Sequence, residues 1–98
     1  MGEVCRRLGV DADWVLFGHT HRAGPLERDD PAAWRAGPDG PRLINTGCWV
    51  HERLFVGADG RSSPYWPGNA VEVSDEGPPR LRPMMLGWEP ATPEPRPA

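Results

Sequence analysis

Glycine and proline set the limits on what this chain can fold into. Twelve Gly and thirteen Pro fill about a quarter of its 98 residues, a share that approaches loop-rich composition. They punctuate the sequence at Gly24-Pro25, Gly37-Pro38, Gly40-Pro41, Ser63-Pro64 and Pro67-Gly68. Only short elements fit between such signals. Leu, Ile, Val and Phe together number 17, and a chain this short buries only roughly 60–65 % of the surface its unfolded form exposes. A self-sufficient aliphatic core is therefore marginal, although five Trp add large apolar area. The composition predicts part of a domain rather than a whole one.

Charge narrows the partners. Fourteen acidic against eleven basic residues give a net charge of −3, which provides no global basic field for nucleic acid or anionic membrane. Every basic residue is Arg. No apolar run exceeds the four residues Trp14–Phe17, so neither a membrane span nor a signal-peptide core is expected. With Cys5 and Cys48 read as free thiols, the chain is placed in the cytoplasm.

The order of elements reads as α/β. Residues 3–8 predict the end of a helix, with Val4 and Leu8 on one face, Cys5 in the core and Gly9 as the left-handed stop. After a short polar link, Trp14–Phe17 predicts a strand covered on both faces. Residues 22–41 form a long loop, broken by one turn that Asp30 caps and Pro31 begins. Residues 42–46 form a second strand, and Leu54-Phe55-Val56 has strand character. Residues 69–73 and 80–82 make a terminal hairpin placed in the same sheet as 14–17, with Trp14, Leu16, Ile44 and Val71 buried. Some apolar surface on this sheet is expected to stay exposed. Residues 87–98 read as a Pro-rich disordered tail.

One constellation carries chemistry. Gly18-His19-Thr20-His21 follows the first strand directly, at the carboxyl end where open α/β sheets bind ligands. If the segment is extended, His19 and His21 point to the same side, with Cα atoms about 6–7 Å apart. Imidazoles at that separation suit a pair of ions roughly 3.5–4 Å apart. Gly18 is expected to supply the sharp turn.

Here the sequence resembles a known family. Val15-Leu16-Phe17-Gly18-His19-Thr20-His21-Arg22 is similar to the last metal-binding motif, G-H-x-H, of the calcineurin-like metallophosphoesterases. Asn45-Thr46-Gly47-Cys48 resembles the N-P-G-S that follows in that family, with Thr and Cys replacing Pro and Ser. The resemblance spans residues 3–86 and implies the carboxyl-terminal part of a four-layer αββα sandwich, with a mixed sheet and mostly strands after one short helix. The domain would occupy residues 1–86. It also implies two divalent ions (from Mn, Fe, Zn, Ni or Mg), with His19 on one and His21 on the other, that activate a water for attack on a phosphate mono- or diester. Arg22 is a candidate to reach a phosphate oxygen.

The family's upstream motifs, D-x-H, G-D-x-x-D and G-N-H-[DE], have no counterpart in these 98 residues. Two histidines cannot hold two divalent ions without a bridging carboxylate and further ligands. The expectation is a carboxyl-terminal portion that is catalytically silent alone. Two other readings are a structural zinc site from His19, His21, Cys48 and His51, and a binding surface at Pro64-Tyr65-Trp66-Pro67.

Overall fold

The computed structural model describes residues 1–90, so all but the first residues of the expected tail lie outside it. Helix α1 (Gly2–Leu8) opens the chain. Glu3 pairs with Arg6 and Arg7 one turn on. The helix stops at Gly9 (φ 61°), where the Gly9 and Val10 N–H groups donate to the carbonyls of Arg6 and Cys5. That is a Schellman stop, and it needs a left-handed residue at this position.

Strands β1 (Trp14–Phe17) and β2 (Arg42–Asn45) pair in parallel, with Val15 opposite Leu43 and Phe17 opposite Asn45. Between them a 3-10 turn, Pro31–Trp34, is capped by the Asp30 side chain, which accepts from Ala32 N–H at 3.0 Å. Helix α2 (Arg53–Val56) and a 3-10 segment, Gly57–Ser62, lead to an antiparallel hairpin, β3 (Asn69–Ser74) and β4 (Gly77–Pro83). The result is a small α/β arrangement with two short helices and two separate two-stranded sheets.

Three expectations are corrected. The hairpin does not extend the β1–β2 sheet, so the described residues contain no single mixed sheet. Residues 54–56 are helical rather than extended. Glu52 C=O accepts from the N–H groups of Phe55 and Val56, and these local bonds form where no neighbouring strand offers a ladder. Strand β1 is not covered on both faces, since Leu16 is 40 % exposed and Trp14 is half-buried. A two-stranded sheet offers too little surface to bury both sides of an apolar strand.

The core is correspondingly small. Cys5, Ala36 and Leu43 are buried together, with Val15, Phe17 and Trp34 packed against them. A second cluster joins Trp66 to His51 and Trp88 edge-on, at ring separations of 5.4 and 5.9 Å. Ile44 is buried as expected, whereas Val71 is only half-buried. Val4 and Leu8, the expected packing face of α1, are exposed; Cys5 is the helix residue that meets the core. Trp49, Val50, Leu54 and Phe55 are also exposed. The radius of gyration is 16.1 Å, against about 13 Å for a compact chain of this size.

Candidate functional site

Because β1 and β2 run in parallel, the segments that leave them, residues 18–21 and 46–49, emerge at the same edge of the sheet. Thr46 N–H donates to Phe17 C=O at 2.8 Å and locks the two exits together. The Gly18–His21 segment is not extended. His19 (φ 86°) and His21 (φ 64°) both hold left-handed backbone, and they are the non-glycine residues that do so among the described ones. Gly18, expected to supply the turn, has no positive φ. Alternation along a strand therefore does not place the two imidazoles. Left-handed backbone at a residue bearing a Cβ costs on the order of 1–3 kcal/mol, and it persists only where the surroundings enforce it.

Asn45 braces this segment through Thr20. At 2 % exposure it is among the most buried side chains in the structure. Its Nδ2 donates to Thr20 Oγ1, between the two histidines, and its Oδ1 accepts the Gly47 N–H at 2.9 Å. Its backbone exchanges two hydrogen bonds with Gly24, at 2.9 and 3.1 Å. One buried amide thus ties both exits and the start of the long loop. The sequence signal is an Asn that follows the apolar pair Leu43-Ile44 at the carboxyl end of the strand, yet residue type alone does not reveal the Thr20 partner.

His19 is exposed and His21 half-buried. Each offers one nitrogen lone pair. Among the described residues no three His, Cys, Asp or Glu side chains come together to hold a metal ion. The donor set present here therefore does not fit a two-metal centre by itself, and the four-residue zinc set is not assembled. Cys48 is buried and its thiol donates to the carbonyls of Val50 (3.3 Å) and Tyr65 (3.7 Å). His51 lies edge-on to Trp66 and Trp88. The Pro64–Pro67 stretch turns inward as well, with Trp66 and Pro67 buried, so it offers little of the binding surface considered above.

Arg22 is already engaged. Its guanidinium makes a two-pronged bond to Asp29, at 2.9 and 3.1 Å, and stands 5.3 Å from the centre of the Trp34 ring. The hydrogen bond to Arg22 holds the Asp29 carboxyl below its ordinary range, helped by Leu26 N–H at 2.7 Å, and Asp29 in turn raises the Arg22 pKa. A phosphate at Arg22 has to share the guanidinium with Asp29 or displace it. Among the described residues no helix is long and apolar enough to cross a membrane. No protein-family profile, curated protein or solved structure matches this chain.

Proposed function

We propose that this chain is the carboxyl-terminal portion of a calcineurin-like metallophosphoesterase, in which His19 and His21 are two of the ligands for a pair of divalent ions. The observation that carries the reading is the left-handed backbone at both motif histidines, on a segment bonded through Thr20 to a buried Asn at the carboxyl edge of a parallel strand pair. Strain of this kind is retained where geometry matters more than local stability. In the complete enzyme the ions, from Mn, Fe, Zn, Ni or Mg, would supply an activated water and charge for hydrolysis of a phosphate mono- or diester. The residues here would contribute two imidazole nitrogens, on a segment that Asn45 braces through Thr20.

A partner layer that completes a four-layer sandwich would cover the exposed Val4, Leu8 and Leu16. The compartment proposed is the cytoplasm. The chain alone is proposed to be silent, because a bridging carboxylate and a general acid have to come from elsewhere.

Titration with Mn²⁺ followed by histidine NMR tests the ligand assignment. The His19 and His21 ring signals should broaden together, well before those of His51. Broadening of His51 at the same metal concentration, or of only one of the first two, contradicts it.

A further inference from the structure

The amino-terminal end of the β1–β2 sheet, four residues of strand away from the histidines, holds a second cluster. Arg35 and Arg42 face each other across an isolated antiparallel bridge. The Ala36 N–H donates to the Pro41 C=O beside it at 2.9 Å. That marks Arg35 and Arg42 as a non-hydrogen-bonded pair, the arrangement that brings facing side chains closest. Like charges so placed repel. Neither guanidinium forms an ion pair among the described residues, nor do those of Arg28, Arg53 and Arg80, whereas Arg6, Arg7, Arg22, Arg61 and Arg82 do. Arg35 is steadied by its Nε bond to Gly40 C=O at 3.1 Å, and Arg42 stands 5.3 Å from the centre of the Trp14 ring.

Two hollows meet at this pair. One, of about 290 Å³, is walled by Trp14, Pro25, Pro31 and Trp34 together with both arginines. The other, of about 300 Å³, shares Trp14, Arg35 and Arg42 and is bordered by Asp13 and Asp39. Apolar ring-shaped walls beside two guanidiniums that form no ion pair match a ligand with an aromatic ring at one end and an anion at the other. The two nearby carboxylates repel anions, a long polyanion more strongly than a single small group seated on the arginine pair.

We infer that Arg35, Arg42 and Trp14 form a binding site for a small aromatic anion, with its phosphate- or carboxylate-type group on the arginine pair and its ring among Trp14, Trp34 and the two prolines. The site lies at the opposite end of the strands from the histidines and does not depend on the phosphoesterase reading.

Indole NMR of the whole chain in EDTA tests it, with phenylphosphonate and benzoate as probes and with benzyl alcohol and inorganic phosphate as half-ligands. Both probes should shift the Trp14 and Trp34 indole signals saturably at millimolar concentration, while each half-ligand binds about tenfold or more weaker. Arg42→Gln and, separately, Arg35→Gln should each weaken the probes about tenfold while the other Trp signals stay in place. Equal shifts from benzyl alcohol, no saturation by about 10 mM, or undiminished binding in both variants would overturn the inference.

Discussion

Asn45→Ala is the substitution that most sharply separates an enforced histidine loop from an incidental one. The change deletes a side chain at 2 % exposure, together with the bonds to Thr20 Oγ1 and Gly47 N–H. Losing the Thr20 bond costs a net of about 1 kcal/mol, and leaving the Gly47 N–H unpaired costs about 1–3 kcal/mol. The expected loss is about 2–4 kcal/mol, a large share of the ~5–15 kcal/mol available to a chain of this length. Urea denaturation followed by Trp fluorescence should show a midpoint far below that of the parent. Thr20→Val removes only one of the two bonds and should cost about 1–2 kcal/mol. The double variant should then fall short of additivity by roughly 1 kcal/mol. The histidine ring signals should also move in Thr20→Val, because Thr20 lies between them. A loss below about 0.5 kcal/mol in Asn45→Ala, the range of ordinary surface changes, would refute the claim that Asn45 braces the loop.

Other consequences follow from single contacts. Asp29 titrates below its ordinary range when folded, so the unfolded chain takes up its proton first as pH falls. Its contribution is complete above the ordinary value of 3.8 and declines as pH drops further through the folded pKa. Urea midpoints should therefore converge between parent and Asp29→Asn on going from pH 7 to strongly acidic solution, and a constant gap counts against the pairing with Arg22. Gly47 has φ 74°, and a Cβ there would sit 2.9 Å from that of Ala23. Gly47→Ala should cost about 1–3 kcal/mol in the same urea assay, while Gly77→Ala, with nothing nearby, should be close to neutral. Leu54 is 96 % exposed, so Leu54→Glu should leave the midpoint within about 0.5 kcal/mol and raise solubility.

Local chemistry was legible in the sequence where it acts over a few residues. Gly9 ends α1 as expected, Asp30 caps the turn at Pro31, and strands 14–17 and 42–45 lie where their apolar runs put them. Long-range pairing was not legible. The alternation in residues 69–73 marks a strand but carries no information about which sheet it joins, and its partner is β4 alone. The motif Gly18–His21 is visible as residue types, but its backbone conformation is not. Strand alternation presumes extended φ, whereas both histidines hold left-handed φ, with Thr20 between them bonded to Asn45. The Arg22–Asp29 pair spans seven residues of loop, a separation at which neither helix nor strand periodicity points to a contact.

The most direct test of the phosphoesterase reading is hydrolysis of a bis-aryl phosphodiester with added Mn²⁺, comparing the 98-residue chain with one extended by the in-frame sequence upstream of Met1. The account predicts no turnover by the 98 residues, turnover by the extended chain, and loss of at least about a hundredfold in the extended His19→Ala and His21→Ala variants. Turnover by the 98-residue chain that disappears in His19→Ala, or an extended chain that is inactive or indifferent to both substitutions, would contradict it.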